Sequence, residues 1–292
     1  MRRLRCARPD LFSTPDARGN LAIMPGMQTP HPSIAKKQAL LPHAPLPAYY
    51  GDEAEHTRYL RRIFDATAAD YDRIERVLAF GSGPWYRRGA LQRAGLAAGD
   101  RVLDVGIGTG LVAREALKLI GDRGTLIGVD PSPGMMGEID LPGVELRAGR
   151  AEALPCTDEC CDFLSMGYAL RHISDVDAAF GEFHRALRPG GRLLILEISK
   201  PDGPFARLLL KTYMRAVVPQ IARLVARKTD TAELWRYYWD TIEACMSGEA
   251  VIEALRAVGF EQVRRERQLG IFSEFTAVRP GASGNMPETV RR

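Results

Sequence analysis

Val102-Leu103-Asp104-Val105-Gly106-Ile107-Gly108-Thr109-Gly110 decides how the chain is read. Four strand-type residues run into three glycines at alternating positions and then directly into a helix-forming stretch. Glycine in such a turn lets the backbone double back and approach a ligand without a Cβ in the way. In an open α/β sheet the carboxyl end of the first strand is where a nucleotide-type ligand sits. The spacing narrows the ligand. A dinucleotide fingerprint needs a glycine where Leu111 stands, and no Gly-Lys-Ser/Thr follows for a phosphate loop. Asp104 precedes the glycines, and Asp130 closes the next apolar run, Leu126-Ile127-Gly128-Val129. An acid about 20 residues downstream can accept both ribose hydroxyls. The set suits a zwitterionic adenosyl ligand. Asp130 also reads as a helix N-cap before Pro131, the glycines as a turn without ligand, and Asp104 as structural or ligand-facing.

Outward from this segment, strand and helix patterns alternate. Strands are expected at Arg101–Val105, Thr125–Val129, Val144–Arg147, Phe163–Gly167, Arg192–Glu197, Gln262–Arg265 and Ile271–Ala277. Helices are expected at about Leu111–Ile120, Val176–Leu187, Pro204–Ala226 and Glu249–Val258, with Gly190-Gly191 and Gly259 as stops. The alternation predicts an α/β fold, a mostly parallel sheet with helices on both faces. The organisation expected is a Pro-rich basic extension over 1–50, disordered, one domain over 51–280, and a flexible tail over 281–292.

The 292 residues carry 40 Lys+Arg and 36 Asp+Glu. Seven of the cations oppose two acids within residues 1–50, so the rest of the chain is nearly neutral. The basic balance therefore belongs to the extension, and nucleic acid is excluded as a partner. Eight of the nineteen prolines lie in that same extension, which has no apolar periodicity. No apolar run reaches the ~18 residues of a membrane span. Five cysteines, an odd number, without a secretory signal point to reduced thiols and a cytoplasmic address. Cys156-x3-Cys160-Cys161 lacks a nearby histidine to complete a metal site, so no metal is expected and apolar packing is preferred.

Further segments recur in a recognisable order. They are Phe64-Asp65-Ala66-x3-Asp70-Tyr71-Asp72, the glycine motif, Asp130-x4-Met135, Ala151-Glu152-Ala153-Leu154-Pro155, Tyr168-Ala169-Leu170-Arg171-His172 and Leu187-Arg188-Pro189-Gly190-Gly191-Arg192-Leu193. Over roughly residues 60–265 the chain resembles class I S-adenosylmethionine methyltransferases. Leu196-Glu197-Ile198-Ser199-Lys200-Pro201, the Phe-Asp…Tyr-Asp entry and the Ala-Leu-Arg segment narrow this to the UbiE-type C-methyltransferases of ubiquinone and menaquinone synthesis. The resemblance implies a seven-stranded Rossmann-like sheet and S-adenosyl-L-methionine as cofactor. It places Gly106, Gly108 and Gly110, with Thr109 and Asp104, around the methionine moiety. Asp130 would hold the ribose, Met135 would stack on adenine beside Ala151, and Tyr71 would close over the cofactor. Arg150 stands where the family usually has Asp or Asn for the adenine amine, and arginine cannot accept a hydrogen bond. Cys156 and Cys161 fall at aromatic core positions.

Carbon methylation of a quinol requires a neighbouring phenol to lose its proton, to a base or under the influence of a cation. Arg171 matches the family arginine implied to assist that deprotonation, and His172 replaces a family asparagine. The alternatives are an Arg171 paired with a carboxylate and a His172 that is a hydrogen-bonded loop residue. Over 204–228, Leu210, Met214, Val217, Ile221 and Leu224 recur among Arg207, Lys211, Arg215, Arg223, Arg227 and Lys228. This reads either as a cationic lid resting on the inner face of a membrane, or as a surface helix, bent at Pro219, that packs on the sheet. Trp235, Tyr237, Tyr238 and Trp239 suit an acceptor wall or a core. The end, Gly270-Ile271-Phe272-Ser273-Glu274-Phe275-Thr276-Ala277, lacks the basic, aromatic signature of the quinone enzymes. The expected partners are a small lipophilic aromatic acceptor, a membrane surface and a second copy of the chain. Two other readings stay open: a methyltransferase for another natural product or lipid amine, and a cofactor-binding protein without turnover.

Overall fold

Apolar side chains at successive positions of strand β1 (Arg101–Val105) serve two cores, because side chains alternate across a strand. Val102 packs with Leu126, Phe163 and Leu194, whereas Leu103 and Val105 join Leu164, Met166 and Ile195 on the other side. A sheet buried on both faces reads as a near-continuous apolar run, which is what the segment shows. The computed structural model describes residues 39–225 and 231–281. Residues 1–38 of the expected extension, 282–292 of the tail, and Arg227 and Lys228 lie outside the described residues.

The other strands are β2 (Thr125–Asp130), β3 (Val144–Ala148), β4 (Cys161–Gly167), β5 (Leu187–Ile198), β6 (Glu261–Gln268) and β7 (Phe272–Val278). Their order is β3-β2-β1-β4-β5-β7-β6, with β7 antiparallel to both neighbours. Helices α2 (Gly83–Arg93) and α3 (Leu111–Ile120) cover one face through Leu91, Val112 and Ala116. Helices α5 (Val176–Ala186) and α9 (Gly248–Val258) cover the other through Phe180, Phe183 and Leu255. Cys161 is buried in that second core, and Cys156 and Cys160 pack against it.

A third core forms a helical cap. Helix α1 (Glu53–Leu78) supplies Tyr59, Ile63 and Ile74, and α8 (Thr231–Ala244) supplies Leu234, Trp235 and Trp239. Between them runs α6 (Pro204–Thr212), a π turn over Tyr213–Val217 and α7 (Val218–Val225). Pro219 has no N–H and its ring would meet the carbonyl four residues back. The wider turn just before it closes the Val218 N–H onto the Tyr213 carbonyl, so the helical run continues. The expectation that this helix packs on the sheet is corrected: Met214, Val218 and Ala222 are buried against α1 and α8.

Two further expectations change. Gly190-Gly191 does not stop a helix: α5 ends at Ala186, and Leu187 is already extended. The glycines sit inside β5, where the pairing with β4 jumps from Cys161–Leu187 to Phe163–Arg192. Gly190 at φ +79° absorbs the surplus residues as a bulge. The disorder expected over residues 1–50 does not hold for residues 39–50. The Leu40 carbonyl accepts from Val176 N–H at 2.8 Å, the Pro42 carbonyl from Met246 N–H at 2.7 Å, and Tyr49 donates to Asp240 at 2.7 Å. Residues 39–50 thus form a strap over α5 and α8, and its prolines stiffen a packed segment rather than prevent one.

Candidate functional site

At the carboxyl end of β1 the chain turns at Gly106, with φ +68°. Its N–H donates to the Val129 carbonyl at 2.8 Å, and a Cβ there would stand 2.7 Å from Ala169 Cβ. The position admits only glycine on both counts. Gly108 N–H donates to Asp130 Oδ2 at 2.9 Å, and Ser132 N–H donates to Oδ1 at 2.8 Å. Each carboxylate oxygen keeps a lone pair for another donor. Burial pushes the Asp130 carboxyl upward, against the pull of those two N–H groups.

The cap anchors to this loop through the acids of the Phe64–Asp72 segment. Asp65 Oδ1 accepts from Ser132 Oγ at 2.6 Å and from Gly134 N–H at 2.9 Å. Asp72 Oδ1 accepts from Thr109 Oγ1 at 2.5 Å. A Cβ at Gly134 would meet the Asp65 Cα at 2.8 Å, so α1 sits directly on the short helix α4 (Pro133–Gly137). Two carboxylates a helical turn and more apart therefore clamp α1 across the strand ends.

Between clamp and sheet lies a cavity of about 630 Å³. Tyr71, Gly106, Gly108, Thr109, Asp130, Met135, Arg150, Ala151, Arg171 and His172 all line it. Asp104 and Gly110 do not. Asp104 is buried beside the sheet and accepts from Ser165 Oγ at 2.7 Å; its other oxygen has no partner among the described residues, and burial pushes it up to about 7. Gly110 is the N-cap of α3, packed near Leu141. Both shape the loop from beneath. Arg150 is already engaged, donating to Thr57 Oγ1 at 3.1 Å and Ser174 Oγ at 2.7 Å.

The opposite wall is aromatic and cationic. Tyr168 holds φ +60°, uncommon for a bulky residue, at the turn out of β4. That turn leads into the 3-10 segment Leu170–His172. Arg171 is fully buried, ion-paired with Glu197 of β5, and lies 4.6 Å over the Tyr238 ring. Burial raises the Glu197 carboxyl even against this cation. His172 stacks on Tyr237 with centroids 5.6 Å apart, and its Nδ1 is 3.3 Å from the Tyr237 hydroxyl. Burial, then the Arg171 charge, hold the imidazole well below its usual range, so it is neutral. Tyr71 and Tyr238 share a 3.0 Å hydroxyl contact, and Trp235 stacks on Tyr71. Of the four aromatics on α8, Trp235 and Tyr238 line the cavity while Tyr237 and Trp239 belong to the core.

Several lining residues carried no sequence signal. Glu75 of α1 and Arg87 of α2 form a 2.6 Å ion pair that only the cap's folding brings together. Leu269, Ile271 and Phe272, from the divergent carboxyl end, reach the same cavity. Leu210 and Tyr213 line it from the 204–225 run, whereas Phe205, Leu208, Leu209 and Leu224 are exposed. The cavity combines a glycine-and-carboxylate cradle with a neutral imidazole and a buried guanidinium.

The sequence profile of the ubiE/COQ5 methyltransferase family matches residues 52–279. A ubiquinone/menaquinone biosynthesis C-methyltransferase UbiE from Syntrophotalea carbinolica is 33% identical over 226 residues, 75% of this chain and 93% of that protein. The same-named protein of Rubrivivax gelatinosus is 33% identical over 216 residues, 73% of this chain and 83% of its own length. Among solved structures, a methyltransferase from Thermotoga maritima, described as a possible histamine N-methyltransferase, superposes with a TM-score of 0.53. It is 22% identical, and the match covers 75% of this chain and 99% of that one, which supports the fold.

Proposed function

The chain belongs to the ubiE/COQ5 methyltransferase family and is an S-adenosylmethionine-dependent methyltransferase, and from that premise we propose that it methylates a ring carbon of a polyprenylated quinol precursor. One observation carries the choice of acceptor. The cavity is walled by aromatic rings, among them Phe64, Tyr71, Tyr168, Trp235 and Tyr238, and two buried arginines, Arg87 and Arg171, also line it. Aromatic walls suit an aromatic ring, and a buried guanidinium favours an oxygen on which negative charge develops. A hydroxylated aromatic ring meets both demands.

The cradle fits the cofactor. Gly106 leaves the space that a Cβ would fill, and Asp130 retains acceptor capacity for two hydroxyls. Gly106, Gly108, Thr109, Asp130, Met135 and Ala151 would hold it, with Tyr71 closing from the cap. Arg150 braces that wall through Thr57 and Ser174 instead of contacting adenine. Bound there, the cofactor supplies an electrophilic methyl carbon.

The acceptor's own phenol must become more nucleophilic. Arg171, always protonated and fully buried, favours the phenolate by its charge. His172 is neutral and takes the proton. In the tautomer whose Nδ1–H donates to the Tyr237 oxygen, Nε2, which has no partner among the described residues, carries the free lone pair. Leu210, Tyr213 and the exposed Trp85 and Leu269 line the cavity, and Phe80, Leu208 and Leu209, close in sequence to lining residues, are exposed. Such a rim, flanked by Arg207 and Lys211, suits a prenyl tail and contact with an anionic membrane surface. No described helix is long and apolar enough to cross a membrane. Anaerobic incubation with labelled cofactor and a demethylated quinol tests the reading. It expects a methylated ring carbon with wild type and none with Arg171→Ala; methylation of amines alone would overturn it.

A further inference from the structure

Three of the chain's five cysteines gather at the amino end of β4, whereas the cavity lies at its carboxyl end, and none of the three lines it. Cys161 opens the strand, is buried, and donates from Sγ to the Ala186 carbonyl at 3.4 Å. Cys156 and Cys160 pack against the same core but are only partly buried. Thr157, Asp158 and Glu159 between them are exposed, so small molecules in solvent can reach this turn.

The turn is held from three sides. Arg147 of β3 donates to the Pro155 carbonyl at 2.7 Å, and Arg279, just past β7, donates to Glu159 Oε1 at 3.0 Å. Arg185 of α5 donates to the Cys156 carbonyl at 3.0 Å and to Asp158 Oδ1 at 2.8 Å, and its own carbonyl accepts from Glu159 N–H at 2.9 Å. Glu159 has φ +55°, uncommon for a residue with a side chain, and reverses the chain just before Cys160. The reversal brings the thiols into one hydrogen-bonded group in which Cys160 contacts both Cys156 and Cys161.

Among the described residues no group of three or more His, Cys, Asp or Glu is placed to hold a metal ion, so the cluster is not a metal site. Packing alone would be served by three equivalent thiols, yet these differ. Hydrogen bonds from Cys161 and then Cys156, with the Arg185 charge nearby, hold Cys160 below the ordinary thiol value. Burial, then Cys160 itself, pushes Cys156 upward. The thiolate is the nucleophile in sulfur chemistry. A reactive thiolate with a second thiol in contact turns a first oxidation into a disulfide.

We propose that Cys160 and Cys156 form a reversible thiol–disulfide site for hydrogen peroxide, with Cys160 attacking and Cys156 resolving. The Cys160 sulfur bonds to one peroxide oxygen, the O–O bond breaks, and the departing hydroxide takes a proton from solvent to leave as water. Cys160 is then a sulfenic acid. The Cys156 sulfur attacks the Cys160 sulfur, its proton joins the displaced hydroxyl, and a second water leaves. Two thiols have lost two electrons to give one disulfide, and one peroxide has become two waters. A low-molecular thiol restores the reduced pair by exchange. Cys161, tied to Ala186 in the core, stays out of the bond.

The test uses the full chain carrying Cys6→Ser, a position outside the described residues, reduced, freed of reductant and treated with one equivalent of hydrogen peroxide at neutral pH. Cleavage after Glu159 separates Cys156 from Cys160. Mass spectrometry should find the two fragments joined, two hydrogens lighter than their sum, and parted again by dithiothreitol. Fragment-ion spectra should place the bond on Cys160. Cys156→Ser should leave a sulfenic acid on Cys160 that dimedone traps. Cys160→Ser should slow oxidation of the turn at least about tenfold, the advantage of a thiolate over an ordinary thiol near neutral pH. Fragments that stay apart in the parent chain, a bond on Cys161, or a Cys156 that oxidises as fast without Cys160 would each overturn the proposal.

Discussion

The two ends of the cavity are built by different means. At the cofactor end, backbone does the work: Gly106 and Gly108, the Gly108 and Ser132 amides and one carboxylate lie within two short turns of neighbouring strands. At the acceptor end, side chains do it, drawn from α1, α2, α8, the 204–225 run and the β6–β7 turn. Backbone geometry depends on residues adjacent in sequence, and a sheet fixes it. Side-chain geometry depends on helices docking from far apart in the chain. The first kind of site tolerates few substitutions, whereas the second can change its ligand while keeping its fold.

If that contrast holds, the largest response comes from the acceptor end's buried charge. Arg171→Met should destabilise the protein by about 3–5 kcal/mol, read as a lower urea midpoint, because Glu197 is left buried and unpaired. Removing both charges, Arg171→Met with Glu197→Leu, should recover most of the stability and none of the methyl transfer. Recovery of activity would break the distinction between a structural ion pair and a working cation.

At the cofactor end the response should be loss of binding with the fold intact. Gly106→Val must fit a Cβ against Ala169 at a φ suited to glycine. Affinity for S-adenosylhomocysteine should fall by about a hundredfold in calorimetry, equivalent to about 3 kcal/mol. A smaller fall than with Asp130→Ala would show that the carboxylate, not the backbone, dominates.

Protonation offers a milder test. Burial, aided by His43 and Arg150, lowers His56 to about 4, and His172 is also depressed. A histidine whose folded value is lowered stabilises fully above the unfolded value of 6.5. That stability fades as pH falls from about 6.5 towards 4, where the unfolded chain binds protons that the folded one resists. Wild type should therefore lose stability over that window, and His56→Gln should flatten the loss, measured as urea midpoints at successive pH values.

The smallest effect on stability belongs to the rim. Leu209→Asp removes an exposed side chain and should shift stability by no more than about 0.5 kcal/mol. It should nonetheless reduce co-sedimentation with vesicles containing anionic lipid; undiminished sedimentation would remove the membrane from the acceptor end.

What could be read from sequence follows the same division. β1 and α3 were expected with the bounds they have, since an apolar run, a glycine turn and an amphipathic stretch leave no alternative. Helices α1, α2 and α8 went unplaced; α1 reads as polar over much of its length because only one stripe meets the cap. For Asp104 the sequence leaves a structural and a ligand-facing role open, and the structure adds its buried contact with Ser165. The Glu75–Arg87 pair spans twelve residues with no pattern between them. Asp65 and Asp72 stood inside a segment noted for its resemblance, and only the structure shows why they matter: they pin the cap to the glycine loop and to α4.

The strap over residues 39–50 lies ahead of the family-matched span that begins at residue 52. Its Tyr49 and Tyr50 rings pack on Tyr237 and His56, the layer directly behind the imidazole of His172. A protease that cut in the Leu46–Asp52 turn would spare every residue of the cradle, yet unseat the backing of that imidazole. Clipped enzyme would then go on capturing its nucleoside while its ability to deprotonate an acceptor declined, a partial failure that an assay of cofactor binding alone would miss.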